Sequence, residues 1–123
     1  MEIKGSTVLV TGANRGIGRS FVEAFHRAGA ARIYAAARNV GAVADLVSRE
    51  PERIFPVLLD ITDSSLVRGA AKWCGDVNVL VNNAGISHMS SLIGVENLDA
   101  AREEMAVNYF GTLAMVRAFA SIL

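Results

Sequence analysis

Three glycines at fixed spacing lie between a short apolar run and an amphipathic stretch near the N-terminus. Residues 11–18 read Thr-Gly-Ala-Asn-Arg-Gly-Ile-Gly, which gives the spacing G-x-x-x-G-x-G. Gly12 suits a tight turn, Gly16 lets backbone N–H groups approach a phosphate, and Gly18 lets a following helix pack closely on a sheet. The spacing matches neither G-x-G-x-x-G nor a Walker loop. Its position still predicts a pyrophosphate-binding loop, against the alternative of a turn that only reverses the chain.

The residues after the second apolar run bear on which dinucleotide would fit. An acidic side chain about 20 residues beyond the glycine loop would bond to the adenosine ribose and repel a 2′-phosphate. Residues 34–37 carry no acid, and Arg38 follows them directly. A guanidinium binds phosphate well, and Arg15 adds a second positive charge from the glycine loop. Each arginine alone is equally well explained as a solvated surface charge, but together with the missing acid they favour NADP over NAD.

Four motifs occur in the order known from one protein family. After the glycine loop come residues 59–62 (Leu-Asp-Ile-Thr), 82–85 (Asn-Asn-Ala-Gly) and 107–111 (Val-Asn-Tyr-Phe-Gly). In this combination the chain resembles the short-chain dehydrogenase/reductase family. The resemblance implies hydride transfer at a nicotinamide cofactor, with a small carbonyl or alcohol compound as substrate.

The resemblance also assigns site residues. Asp60 and Ile61 match the segment that contacts adenine, and Asn108 matches a catalytic asparagine that holds a proton-relaying water. Read alone, Asn108 would be a polar residue in a helix, but its Asn-x-x-Gly setting favours the catalytic assignment. The expected cofactor-binding residues are Gly12, Asn14, Arg15, Gly16, Ile17, Gly18, Arg38, Asp60, Ile61, Asn83, Ala84 and Gly85.

The other catalytic residues of the family have no counterpart among these residues. The family uses a tyrosine as general acid/base, a lysine four residues later, and a serine that orients the carbonyl. No Tyr-x-x-x-Lys occurs, since Tyr34 is followed four residues later by Arg38 and Tyr109 by Leu113. We therefore expect the N-terminal part of an NADP-dependent oxidoreductase, ending before a fifth strand. The alternative is a non-catalytic dinucleotide-binding or interaction module.

The elements that must position these residues alternate along the chain. Apolar runs at residues 7–10, 33–37, 56–59 and 77–81 predict strands, and segments 17–28, 40–49, 64–74 and 99–123 predict helices. The strands are continuously apolar, as buried parallel strands are. Because crossovers are right-handed, residues 1–123 are expected to form one α/β domain, a Rossmann-type doubly wound parallel sheet with strand order 3-2-1-4.

Helical spacing also predicts which faces pack on the sheet. In the first helix the recurring apolar residues are Ile17, Phe21, Ala24, Phe25 and Ala28. In the last helix the expected sheet-facing residues are Met105, Tyr109, Val116 and Ala120. The opposite face would carry Phe110, Leu113 and Phe119, which is more apolar than a solvated face requires. The uncovered edge of the fourth strand and this face predict that these 123 residues alone self-associate or aggregate. The family resemblance implies a partner subunit on this face, and so a homodimer or homotetramer of the complete protein.

Composition narrows the classes of partner. Twelve Lys and Arg residues balance twelve Asp and Glu residues, so the basic excess of a nucleic-acid binder is missing. Two histidines and the single cysteine Cys74 offer no metal-ligand spacing. No apolar run reaches the roughly 18 residues of a membrane helix, and the N-terminus lacks a signal-peptide pattern. We expect a cytoplasmic protein with no nucleic-acid, metal or membrane partner.

Overall fold

Four parallel strands form the centre of the structure, a computed structural model that describes residues 1–123. They are β1 (Thr7–Thr11), β2 (Arg32–Ala37), β3 (Ile54–Leu58) and β4 (Val79–Val81), in the order β3-β2-β1-β4. The central strand β1 aligns Leu9 with Tyr34 of β2 on one side and with Leu80 of β4 on the other. The predicted α/β class and strand order 3-2-1-4 are confirmed.

Helices follow each strand as predicted, with different ends. Helix α1 spans Gly16–Arg27, and a 3₁₀ turn (Val40–Val43) leads into the short helix α2 (Ala44–Arg49). Helix α3 (Ser64–Trp73) begins at Asp63, whose carboxylate accepts hydrogen bonds from the N–H groups of Ser65 at 2.9 Å and Leu66 at 3.1 Å. This cap satisfies two N–H groups that have no partner within the helix.

The single helix predicted over residues 99–123 is divided into three segments. Helix α4 (Asp99–Met105) continues into a π-helical segment (Ala106–Gly111) and then into helix α5 (Thr112–Phe119). Periodicity alone did not show this, because a single π-helical turn changes the spacing of the apolar residues too little to be read from the sequence. The helices of this structure are too short or too polar to span a membrane.

Each face of the sheet carries its own core. Val8, Val10 and Ile33 face α1 and α2, where they pack with Val22 and Leu46. The alternate side chains Leu9, Tyr34 and Ala36 pack instead against α3 and α5. Successive residues of a strand point to opposite faces, so a sheet covered on both sides requires the continuously apolar strands seen in the sequence.

The sheet-facing residues predicted for α1 were wrong in part. Gly18 and Val22 are buried and Phe25 is half-buried, whereas Ile17 is 71% exposed. Phe21, Ala24 and Ala28 are also exposed. The contact lies one residue further round the helix because Gly18 lacks a side chain and packs directly on the Gly12 turn. A prediction from the spacing of apolar residues overlooks a glycine as a buried position, because glycine is not counted as apolar.

The prediction for the last helix was also wrong in part. Phe119, which was predicted on the outer face, is fully buried together with Met115, and Val107 packs against the same core. The predicted set of Met105, Tyr109, Val116 and Ala120 is exposed, while Phe110 and Leu113 are exposed as expected. The buried positions are spaced by four throughout, because a π-helical turn holds more residues than an α-helical turn and keeps this spacing on one face.

Gly111 marks the closest approach of this helix to the rest of the fold. A Cβ there would lie 2.7 Å from Cγ1 and 2.8 Å from Cδ1 of the buried Ile61, whereas a Cβ at Gly69 in α3 would meet nothing within 4 Å. We expect Gly111→Ala to lower the free energy of unfolding by about 1–3 kcal/mol through overpacking. The control Gly69→Ala should raise it by about 0.5–1 kcal/mol through helix propensity. Urea denaturation measures both, and equal effects would contradict the proposed contact.

Candidate functional site

A cleft of about 830 Å³ lies at the carboxyl ends of the strands. It is bordered by the loops that follow β1, β2, β3 and β4 and by the π-helical segment. All of the predicted cofactor-binding residues except Gly18 line it. The lining residues are Thr11, Gly12, Asn14, Arg15, Gly16, Ile17, Arg38, Asn39, Leu59, Asp60, Ile61, Thr62, Asn83, Ala84, Gly85, Ile86 and Val107.

The glycine loop leaves a helix end open to the cleft. Gly12 and Gly16 have φ values of +64° and +54°, a backbone conformation that other residues rarely adopt. Helix α1 begins at Gly16, no side chain caps its N-terminus, and its first turn contains no acidic residue. Its first N–H groups and the positive end of its dipole are therefore available to an anion.

Gly18 supports the loop from behind instead of lining the cleft. A Cβ at this position would overlap the carbonyl oxygen of Gly12 and the side-chain nitrogen of Asn83, and would lie 2.8 Å from the carbonyl carbon of Gly12. Only a glycine lets α1 start this close to the turn. The predicted role of Gly18 in close helix packing agrees with this geometry.

Thr11 and Asn83 fasten the glycine loop to the segment after β4. The Thr11 Oγ1 atom accepts hydrogen bonds from the N–H groups of Asn83 and Ala84, both at 3.0 Å. In return, Nδ2 of Asn83 donates to the carbonyl oxygens of Thr11 at 3.0 Å and Gly12 at 3.2 Å. Sequence reasoning missed the role of Thr11. The available signal was a hydroxyl residue at the end of an otherwise apolar strand.

Two arginines line the cleft, Arg15 in the glycine loop and Arg38 directly after β2. Arg15 and Arg38 are both exposed, and neither side chain has a hydrogen-bond or ion-pair partner. Asn39, which sequence reasoning missed, also lines the cleft. Its Oδ1 accepts from the N–H of Gly41 at 2.9 Å and so caps the 3₁₀ turn. Two uncompensated guanidinium groups can bind an anion of two or more charges.

Asp60 is the single acidic residue that lines the cleft. Its Oδ1 accepts from the N–H of Thr62 at 2.9 Å and from the hydroxyl of Thr62 at 2.7 Å. The Oδ2 atom makes no hydrogen bond and remains available to a donor in the cleft. This arrangement suits an amino group of a ligand.

The amide oxygen and the amide nitrogen of Asn108 both bond to the backbone of Ile86. Its Oδ1 accepts from the N–H of Ile86 and its Nδ2 donates to the carbonyl oxygen of Ile86, both at 2.8 Å. Its neighbours Val107 and Ile86 line the cleft, but Asn108 itself does not. The side chain therefore positions the loop after β4. Its Oδ1 and Nδ2 can each make one more hydrogen bond, and the role of Asn108 in holding a water stays a prediction.

The same loop is held at a second point by two adjacent acids of α4. Glu104 accepts a hydrogen bond from the backbone N–H of His88 at 2.6 Å, and Glu103 lies 2.8 Å from Nε2 of His88. Sequence reasoning missed these contacts, because adjacent residues of a helix point in different directions. Glu104 contacts the backbone of His88 and Glu103 contacts its ring, so both glutamates reach the same residue.

The tyrosines and the cysteine lie outside the cleft. The Tyr34 hydroxyl lies 2.9 Å from Oδ1 of Asp76, and Tyr109 packs edge-on against Phe110. Burial raises the pKa of the Cys74 thiol to about 12, so this thiol stays protonated and is not a nucleophile. No three His, Cys, Asp or Glu side chains are grouped so that they could bind a metal ion.

A parallel sheet in the order 3-2-1-4, with a glycine loop between β1 and α1, defines a Rossmann-type fold. The sequence model described as short chain dehydrogenase matches residues 6–123, and the chain belongs to this family. It is 37% identical to Dehydrogenase/reductase SDR family member 7B of Mus musculus, over 94% of this chain and 39% of the relative. The chain spans less than half the length of the curated relatives it matches.

Two solved structures illustrate the likeness of the fold. A short chain dehydrogenase from Burkholderia cenocepacia, in complex with NADP, superposes with a TM-score of 0.92 at 41% identity, covering 100% of this chain and 50% of that one. A 3-ketoacyl-(acyl-carrier-protein) reductase from Brucella melitensis, complexed with NADH, has a TM-score of 0.88 at 25% identity, covering 97% and 50%. Family membership alone therefore does not decide between the two cofactors.

The close approach at Gly18 can be tested directly. Gly18→Ala should displace either α1 or the Gly12 turn, and we expect a loss of about 1–3 kcal/mol in the free energy of unfolding. The amide NMR signals of Gly12 and Asn83 should shift. Gly75→Ala is a suitable control, because a Cβ at Gly75 would make only ordinary contacts of 3.7 Å or more. Unchanged signals of Gly12 and Asn83 in Gly18→Ala would contradict the described contact.

Proposed function

We propose that this chain binds NADP(H) in the cleft and forms the cofactor-binding part of an oxidoreductase that interconverts a carbonyl and an alcohol. The observation that carries the proposal is the pair of unpartnered guanidinium groups of Arg15 and Arg38 beside an uncapped helix N-terminus. NADP carries two separate phosphate groups, a pyrophosphate and a 2′-phosphate, that could occupy these two places. Its pyrophosphate suits the helix end, and its 2′-phosphate suits the arginines.

The choice of NADP over NAD rests on the end of β2. A carboxylate there would repel a 2′-phosphate, and this chain has Arg38 in its place. Arg38 is exposed and free of any partner, so binding a phosphate breaks no existing ion pair. The complex of the Burkholderia cenocepacia relative with NADP supports this choice, since that protein is 41% identical to this chain.

The other end of the cleft suits the reacting end of the cofactor and the substrate. When bound, the cofactor supplies or accepts a hydride. Asn108 keeps Ile86 in place at this end. The absence of a side chain at Gly85 leaves room for the Asn108 amide, because a Cβ at Gly85 would lie 3.2 Å from Oδ1 of Asn108. Proton transfer needs the tyrosine and lysine that the family resemblance implies. The 123 residues contain no Tyr-x-x-x-Lys to serve this role.

A non-catalytic dinucleotide-binding or interaction module remains the second candidate. The observation that favours it is that His88, in the loop after β4, is already engaged by Glu103 and Glu104. Both candidates predict no NADPH oxidation with aldehydes and ketones by these 123 residues alone. The oxidoreductase predicts turnover when the tyrosine and lysine are supplied by further sequence, whereas the binding module predicts none in either case. A cytoplasmic location and the lack of nucleic-acid partners stay predictions from the sequence.

Cofactor choice is tested by reversing one charge. We expect the wild-type protein to bind NADPH more tightly than NADH, and Arg38→Asp to reverse that order. Repulsion of the 2′-phosphate should weaken NADPH binding by about tenfold or more. Isothermal titration with both nucleotides measures the two dissociation constants. The control Arg68→Asp changes an exposed α3 arginine outside the cleft that has no ion pair. An unchanged NADPH/NADH ratio in Arg38→Asp would remove Arg38 from the site.

We further propose that the outer face of α4 and α5 binds a second copy of the protein. Phe110 is 60% exposed, and Met105, Tyr109, Leu113 and Val116 are each at least 40% exposed on the same two-helix surface. A contiguous apolar face of this kind is typical of an interface between subunits. It could pair with itself about a two-fold axis.

Light scattering tests this association. We expect the wild-type protein to be a dimer or larger at micromolar concentration, and Phe110→Lys with Leu113→Lys to reduce its mass toward that of a monomer. Leu58→Lys is the control, because Leu58 is 52% exposed at the opposite side of the sheet. A monodisperse wild-type monomer would contradict the proposal.

A further inference from the structure

Four charged side chains form a closed ring between α1 and α2. Arg19 makes a two-point contact with Asp45, with Nη1 at 3.1 Å from Oδ1 and Nη2 bonded to Oδ2. Arg49 also binds Oδ2 of Asp45, at 3.1 Å. Glu23 completes the ring at 3.8 Å from Arg19 and 3.9 Å from Arg49. The ring has no net charge, and none of its members lines the cleft.

Both helices joined by the ring begin beside the unpartnered arginines of the cleft. The N–H of Arg19 donates to the carbonyl oxygen of Arg15 at 3.3 Å, so Arg19 lies one turn beyond the glycine loop. Asp45 lies in the first turn of α2, and α2 follows Arg38 and Asn39 through the 3₁₀ turn. The Arg19–Asp45 pair is thus a direct link between the segment that carries Arg15 and the segment that carries Arg38.

A backbone hydrogen bond from the N–H of Ala13 to the carbonyl oxygen of Ala36, at 2.9 Å, joins the glycine loop to the end of β2, but the helices that follow these segments, α1 and α2, have no such bond. Val22 and Leu46 pack into the same core, but apolar packing is not directional. A bidentate arginine–carboxylate contact fixes both distance and orientation.

We propose that Arg19 and Asp45 act together as a positioning pair for recognition of the 2′-phosphate, holding Arg15 and Arg38 at the spacing that one phosphate can bridge. The inference rests on the proposed binding of NADP(H). It assigns to Asp45 a role that increases the affinity for an anion although Asp45 is itself negatively charged.

Two physical explanations of the pair predict effects of opposite sign. If only long-range charge mattered, removing the Asp45 carboxylate would tighten NADPH binding and removing the Arg19 guanidinium would weaken it. If the pair positions the loops, either change weakens NADPH binding, and removing both partners costs no more than removing one. The Arg19 hydrogen bond lowers the pKa of Asp45 to about 2, so Asp45 is charged at neutral pH, where binding is measured.

The experiment is a double-mutant cycle read by nucleotide affinity. Dissociation constants for NADPH and NADH are measured by isothermal titration for wild type, Asp45→Asn, Arg19→Gln and the double variant. We expect each single variant to weaken NADPH binding by about three- to tenfold, as fits the loss of one networked ion pair. NADH binding should change by less than about twofold, because NADH lacks the 2′-phosphate. The double variant should equal the weaker single variant.

Opposite shifts that cancel in the double variant, or no shift at all, would overturn the inference. The control is Asp76→Asn, which breaks an ion pair (2.8 Å) with Arg32, the first residue of β2, outside the cleft. We expect it to leave the NADPH/NADH ratio unchanged, and an equal loss there would assign the effect to general stability and also overturn the inference. If wild type itself shows no preference for NADPH, the proposed cofactor choice fails. If that preference is present and the ring variants keep it, only the positioning role fails.

Discussion

The close approach of three backbone segments at Gly18 is the constraint on which the rest of the site depends. Helix α1 can start against the Gly12 turn only because Gly18 has no side chain, and Nδ2 of Asn83 fills the remaining space while bonding to the Gly12 carbonyl. Thr11 completes the junction by accepting the N–H groups that follow β4. Buried polar groups at this junction are thereby satisfied, which a closely packed turn requires. The junction leaves the N-terminus of α1 uncovered and directed at the cleft.

The arginines of the chain fall into three groups: those bound to other parts of the fold, those that line the cleft, and Arg27, Arg68, Arg102 and Arg117, which lie outside the cleft. Arg19, Arg32, Arg49 and Arg53 are engaged in ion pairs or hydrogen bonds between elements of the fold. Arg15 and Arg38 line the cleft and have no partner. Since the whole chain is electrically neutral, this division, and not an excess of basic residues, produces the local positive charge.

The π-helical segment connects the packing of the last helices to the cleft. It lets Val107, Gly111, Met115 and Phe119 face the sheet together, and it brings Asn108 to the backbone of Ile86. Packing of Gly111 on Ile61 places this helix against the loop after β3, which also carries Asp60. One helix thus supports two of the loops that line the cleft. Its opposite, apolar face remains exposed.

The sequence by itself determined the fold class, the strand order, the family and the set of loops that form the cleft. Continuous apolar strands, the glycine spacing and the motifs at residues 82–85 and 107–111 are local features, and right-handed crossovers favour the observed layout for them. Only the tertiary structure decided which helix faces are buried, that Asn108 holds Ile86, and that Thr11, Asn39 and Glu104 belong to the surroundings of the cleft. The reason is that these features depend on how the elements meet in space. They are a glycine contact, a π-helical segment and hydrogen bonds between distant residues, and the spacing of residues along the chain does not specify them.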